Sequence, residues 1–365
     1  MGRLPKMEFK LADAGFIKVS LSVNDRKTQN EIKDYIISVK DEKGNVTTVT
    51  DGAFKGLAGR TYSYTIKAAG YMYKEGFFEI PEDTTGSLAQ KLYLTPSSEL
   101  AWDGTTKTEP EQVDGVYQIG SGAEFYWFAN EVNVNKKASI DVVLTADIDL
   151  AGYPWTPIGD FSTIYAGSFD GQGHTIKNLY QNDTAYSGIF GLEKGQISNL
   201  TVEGNIYIAA KTAAGAIVGY LNQGTADKPA LISNCVSKVN ITYTGTNANV
   251  DIGGIAGYCN TSRLTNTVIE NCVNYGTIKA ENGGTVGGIL GAMISCNITV
   301  KNCTNYGTVT AKSKVGGILG TYDEYNATTP ANKIINCYNA GEISGQEYVG
   351  GIAGIFNGKA SNNAS

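Results

Sequence analysis

One glycine motif recurs down the chain and constrains what it can fold into. GAIVG at 215 to 219 returns as GGIAG at 253, GGILG at 287, GGILG at 316 and GGIAG at 350, with SGIFG at 187 as an earlier variant. Self-similarity at periods of about 20 to 50 residues marks a repeat architecture. The successive starts lie 28, 38, 34, 29 and 34 residues apart. A helical solenoid must keep its helix lengths, so spacing this uneven points to loops of variable length between fixed strands. A second element runs in phase: IKNL at 176, ISNL at 197, ISNC at 232, IENC at 269, VKNC at 300 and IINC at 334. The later copies continue as IENCVNYGTI, VKNCTNYGTV and IINCYNAGEI. Each unit therefore reads as one coil of about three strands, with a tight turn at Asn and Gly.

No such strand can bury its few apolar residues alone, so stacking one coil on the next creates the core. The expected rise is about 4.8 Å per coil. Asn199, Asn234, Asn271, Asn302 and Asn336 are then expected to form a ladder of side-chain amides. Cys235, Cys272, Cys303 and Cys337 take one coil position, where Leu200 and Leu179 stand in earlier copies. They are expected to be buried, reduced thiols acting as small hydrophobes. Parallel in-register neighbours suit disulfide geometry poorly. A pairing of Cys259 with Cys296 stays open.

On these motifs residues 187 to 354 resemble the GLUG-type repeat family of bacterial surface proteins. The upstream VVLTADIDLAGYPWTPIG and YAGSFDGQGHTIKNL resemble the first coils of such proteins. The resemblance implies a parallel β-helix, right-handed by the general rule for parallel crossovers, at a bacterial cell surface. It does not fix activity, because such repeats occur both in adhesin-like proteins and as accessory segments of immunoglobulin A peptidases.

An open β-helix exposes strand edges at its first coil. GSGAEFYWFANEV at 120 to 132 is expected to cover them as a short capping helix. Ser121 stands at the N-cap and Glu124 at the capping-box position, and Phe125, Phe128, Ala129 and Val132 follow at helical spacing. Upstream, FIKVSLSV, YIISVKDEKGNVTTV, TYSYTIKAAGYMYKEGFFEI and LAQKLYLT alternate apolar with polar residues between turn sequences, which predicts short strands. Residues 8 to 96 resemble PEGA-like or carboxypeptidase-regulatory-like modules, implying a small antiparallel β-sandwich. Residues 97 to 119 read as a connector and 120 to 365 as capping helix and β-helix. The fold class is all-β, as 45 glycines, 22 tyrosines and 4 methionines in 365 residues also suggest.

A net charge of −6 without basic clusters gives no footprint for nucleic acid. No apolar run reaches the 18 or more residues of a membrane span, and MGRLPKMEFK lacks the apolar core of a signal peptide. Signal and anchor are expected outside this chain, which is expected to continue beyond GGIAGIFNGKASNNAS and to be monomeric. One histidine and no CxxC pair exclude the common zinc spacings, HExxH included. GxSxG is absent, and neither cofactor nor metal is expected.

Five features are weighed for chemistry or recognition. Asp147 and Asp149 share one strand face and form the best carboxylate pair for a polysaccharide lyase or hydrolase, an enzyme class that also uses β-helices. The bland alternative is a pair of solvent-facing residues at the first coils. His174, in SFDGQGHTI, reads as a structural turn histidine, and Tyr126 and Trp127 as packing aromatics. Tyr275 and Tyr306 share a coil position and are candidates to dock a glycan or partner protein, or else to form a ladder stabilising a corner. The unequal loops at 244–251 and 322–333 are candidates for variable recognition. The functional expectation is a non-enzymatic surface protein, adhesin or stalk, with a polysaccharide-active enzyme as the alternative.

Overall fold

In Ile17–Asp25 apolar and polar residues alternate, and the strand buries Ile17, Val19, Leu21 and Val23 on one face. That period of two sets the first unit. The computed structural model describes residues 16–26, 28–97, 101–210, 213–260, 267–294, 297–323, 332–356 and 359–361. They fall into two units, Met1–Glu99 and Leu100–Ser365. In the first, a three-stranded sheet (Ala53–Gly56, Ile17–Asp25, Ser87–Leu94) and a four-stranded sheet (Val46–Thr47, Ile36–Lys40, Arg60–Lys67, Lys74–Ile80) contribute to one core. Phe54, Tyr62 and Phe78 meet in it with ring centroids 5.1 to 6.1 Å apart. The expected all-antiparallel pattern does not hold throughout, because Ile17–Asp25 runs parallel to Ser87–Leu94, Val19 opposite Leu88.

The second unit is a stack of coils in parallel register, β-helix-like in form. Each complete coil passes through four sheets rather than three. The first sheet holds the Ile-Asn strands, with Ile197, Ile232, Ile269, Val300 and Ile334 in one row. The second stacks Ile206, Ile241, Ile278, Val309 and Ile343. The third runs Phe190, Val218, Ala256, Leu290, Leu319 and Ala353. The fourth, missed from sequence, stacks Ala214, Ile252, Val286, Val315 and Val349. The extra sheet arises because the glycine motif is a corner between two strands, not the start of one. Thr285–Gly287 ends at its first glycine and Leu290–Ile294 begins three residues on. Each fully buried Ile, Val or Leu in these rows contributes roughly 1.5–3 kcal/mol of transfer free energy.

The register also corrects one proposed repeat copy. Leu179 lies in the second sheet opposite Gly204, as Ile176 lies opposite Val202, while Phe169 holds the first-sheet rung opposite Ile197, so Leu179 does not share the position of Leu200 and the cysteines. The stretch expected as a connector contributes to the second unit, since Glu111–Val113 and Val116–Ile119 extend the first sheet and Trp102 is buried. The helix forms at Gly122–Asn133, its N-cap Ser121 accepting from the Glu124 amide at 3.3 Å. Glu124 Oε2 reaches back to accept from the Gly120 amide at 2.8 Å, so two orphan amides are satisfied. Phe125, Phe128, Ala129 and Val132 are buried. Phe125 stacks on Trp155 at 4.8 Å and Phe128 on Phe169 at 6.0 Å, which seats the helix on the first coils.

The glycines of the corner are fixed by space. A Cβ on Gly287 would lie 2.0 Å from Leu290 O, one on Gly288 2.1 Å from Gly317 O, and one on Gly291 2.4 Å from Gly257 O. Those neighbours are backbone of the same corner or of adjacent coils and cannot step aside. At Gly173, by contrast, φ is +82° but nothing lies within 4 Å of a Cβ, so alanine there carries only left-handed backbone strain of about 1–2 kcal/mol. Gly288→Ala is expected to cost clearly more than Gly173→Ala in urea unfolding; equal costs would contradict the packing given for the corner.

Candidate functional site

The outward face of the second sheet is built from a turn that holds itself together. In Asn274–Tyr275–Gly276 the buried Asn274 side chain accepts from the Gly276 amide at 3.0 Å and donates to the Gly276 carbonyl at 3.0 Å. Its Nδ2 also donates to Asn305 Oδ1 of the next coil at 2.8 Å, and Asn305 repeats the pattern onto Asn339 at 2.8 Å. A closed turn wrapped around a buried amide pushes its middle residue outward. That residue is Tyr275 in one coil and Tyr306 in the next. Their rings stack face to face, 5.1 Å between centroids and 7° between planes, and are 53% and 48% exposed. The Asn-x-Gly spacing in NYG, NYG and NAG marks the turn in the sequence; the burial of Asn274, Asn305 and Asn339 and their coil-to-coil bonds were missed.

The other asparagine row lies at the corner between first and second sheets. Asn234 donates to Asn199 at 3.0 Å, Asn271 to Asn234 at 3.2 Å, Asn302 to Asn271 at 3.2 Å and Asn336 to Asn302 at 3.4 Å. Asn199 donates onward to Asp170 Oδ1 at 2.9 Å. All five asparagines have φ between 52° and 53°, the left-handed region that asparagine tolerates best among non-glycine residues. Conformation and side-chain ladder thus select the same residue.

Behind that corner Cys235, Cys272, Cys303 and Cys337 are buried. Each thiol donates to a backbone carbonyl two residues before it, at 3.2 to 3.4 Å. Burial first, then the neighbouring Cys235 and Cys303 thiols, push the Cys272 thiol well above its ordinary value. Cys259 is buried too; Cys296, its suggested partner, lies outside the described residues, as does most of the 322–333 loop.

The carboxylate pair has structural work. Asp147 accepts from Lys177 Nζ at 2.7 Å and from the Thr175 amide at 2.9 Å, with His174 Nδ1 at 3.5 Å. The Lys177 contact first, then the Thr175 amide, holds its carboxyl below the usual range. Asp149 accepts from the Ala151 amide at 2.8 Å and from Asn178 Nδ2 at 2.7 Å. Tyr126 packs on Trp102 at 4.6 Å and Trp127 on Tyr117 at 4.9 Å. Among the described residues no group of three His, Cys, Asp or Glu is placed to hold a metal.

Glu193 is the titratable group that sequence patterning did not single out. It sits in the row Glu193, Leu221, Cys259, Met293, Tyr322, whose other members are apolar or aromatic and fully buried. Neither carboxyl oxygen has a hydrogen-bond partner of normal geometry. Burial pushes its pKa up to about 8, offset in part by the nearby Gly195 amide.

No family model matches the chain. A protein of Evansella cellulosilytica, provisionally named a Gly-rich membrane protein, is 38% identical over 94 residues, 24% of this chain. The matched stretch spans only 11% of that protein's length. A solved structure from Bacteroides ovatus, provisionally named an immunoglobulin A1 protease, is similar over 71% of this chain and 87% of that one, with a TM-score of 0.50 and 23% identity. That likeness concerns the fold alone.

Glu193 yields a pH test. Its folded pKa is raised above the ordinary 4.5, so between roughly pH 4.5 and 8 the folded state holds a proton that the unfolded state has released. Stability is therefore present in full below about 4.5 and falls as pH rises through about 8. The shift corresponds to a loss on the order of 5 kcal/mol. Urea midpoints at pH 5, 7 and 9 are expected to fall for the native sequence more steeply than for Glu193→Gln; parallel profiles would show that Glu193 is not the group responsible.

Proposed function

We propose that this chain is a non-enzymatic, adhesin-like binding segment of a bacterial cell-surface protein, with the second-sheet face as its contact surface. The observation that carries the proposal is the exposed Tyr275–Tyr306 stack, two large aromatic rings on a rigid, repeated turn. Exposed aromatics on a fixed scaffold favour binding because little side-chain entropy remains to be lost. The Asp147 and Asp149 carboxylates are occupied by lysine, amide and asparagine donors, which supports a structural role. The Evansella relative, with membrane in its name, supports a place at the bacterial envelope.

In this proposal the coils wind right-handed, following the rule for parallel crossovers. They belong with the GLUG-type repeats, and the first unit is a PEGA-like sandwich whose two sheets close over the core around Val19, Tyr62 and Ile80.

Two double variants separate binding from catalysis. Tyr275→Ala with Tyr306→Ala is expected to weaken retention of the chain on an array of glycans and surface proteins, by roughly 1 kcal/mol or more per anchor. Asp147→Asn with Asp149→Asn is expected to leave retention intact. Turnover of a common polysaccharide, lost in the aspartate double variant, would overturn the proposal in favour of an enzyme. A native chain that retains nothing on the array would overturn it in favour of a stalk.

A further inference from the structure

The tyrosine column stops one rung short. Asn305 pairs with Asn339 and the Ala340 amide donates to Asn305 O at 2.8 Å, so Ala340 takes the rung that follows Tyr306. On the opposite side Tyr275 follows the rung of Lys238, which Glu203 engages at 2.8 Å. The column therefore reads Glu203, Lys238, Tyr275, Tyr306, Ala340. One face of the Tyr306 ring is covered by Tyr275. The other overlooks a rung whose side chain is a single exposed methyl.

Residues two before and two after Ala340 on the same strand path share its outward face. They are Tyr338, 45% exposed, and Glu342, also exposed. The open rung is thus a slot with an aromatic wall, a methyl floor, a phenol on one flank and a carboxylate on the other. In the two preceding coils the flanking positions hold Val273 with Thr277 and Thr304 with Thr308; among the described residues of this column, the Ala340 rung alone combines a vacancy with two long polar-tipped neighbours.

Resting on the proposed binding role, we infer that this slot is a subsite for a neutral pyranose ring. The ring takes the place of a third stacked aromatic, its C–H face on Tyr306 and its hydroxyl rim on the Tyr338 hydroxyl and the Glu342 carboxylate. Stacking on an aromatic face needs a flat ligand about as thick as one coil. The 5.1 Å spacing between Tyr275 and Tyr306 shows that a ring fits at this pitch. The Glu342 carboxylate and Tyr338 hydroxyl match hydroxyl donors and acceptors, which favours a sugar over a purely apolar ring, and an acidic sugar would meet like charge at Glu342, which favours a neutral sugar over an acidic one.

The slot is tested on the full chain by titrating hexasaccharides of glucose, mannose and N-acetylglucosamine, with a hexagalacturonate as the acidic control. At least one neutral hexasaccharide is expected to bind saturably, and the acidic one at least tenfold more weakly. Ala340→Trp fills the rung while leaving every turn hydrogen bond in place; it is expected to lower neutral-sugar affinity at least tenfold, as is Tyr306→Ala. Glu342→Gln is expected to narrow the gap between neutral and acidic probes. Failure of all three neutral probes to bind, or affinity unchanged in Ala340→Trp, would overturn the slot. Array retention that still depends on Tyr275 and Tyr306 would in that case leave the broader binding role standing, whereas loss of both would remove the two together.

Discussion

The structure depends on the contact between a buried asparagine and the second glycine of the corner. A Cβ on Gly254, Gly288 or Gly317 would lie 2.5, 2.4 and 2.4 Å from Cγ of Asn274, Asn305 and Asn339 respectively. The asparagine needs that space, and burial forces it to satisfy both ends of its amide, which it does on its own turn and on the next coil. One coil earlier the column residue is the smaller Ser237 and Ala216 stands where the later coils have the second glycine. Size at one side of the contact is matched by size at the other. A lone buried amide without partners costs about 1–3 kcal/mol, so these coils hold together through register as much as through apolar area.

The fold and the proposed contact surface share this constraint. The amide that locks coil to coil also closes the turn that presents Tyr275 and Tyr306, and the same periodicity that stacks the core stacks the rings. Chemistry at the surface is thereby reduced to what a repeated, rigid ladder can present: aromatic faces, amide rows and short ion pairs such as Lys238 with Glu203 and Lys301 with Glu270. The N-cap helix completes the arrangement by giving the first coils an aromatic cover built from Phe125 and Phe128 on Trp155 and Phe169.

Much of this was legible because repeats expose their own rules. The ladder Asn234, Asn271, Asn302 and Asn336, the buried cysteines and the Ser121–Glu124 cap follow from spacing alone. Three features did not. The fourth sheet was hidden because Gly-Gly can begin a strand or break one, and only coordinates distinguish the two. Leu179 fell out of step because IKNL lies in the second sheet, with Ile176 opposite Val202, while Phe169 takes the first-sheet rung opposite Ile197, which a four-letter match cannot reveal. Glu193 was invisible because strand alternation assigns a charged residue to the solvent side, whereas its row in the third sheet faces inward from Leu221 to Tyr322. Parallel pairing in the first unit was also beyond local pattern, since Ile17–Asp25 and Ser87–Leu94 lie far apart in sequence.

Amide hydrogen exchange on Asn305→Ala tests the central claim most directly, because the Asn305 side chain bonds two coils and its own turn at once. Loss of protection is expected at the Gly307 amide and in the flanking turns at Gly276 and Gly341, with the distant earlier-coil strands Phe190–Glu193 and Thr201–Ile208 unchanged. Protection in the substituted chain equal to that of the native one at all three glycines would show that apolar stacking alone holds the coils in register, and would contradict the account.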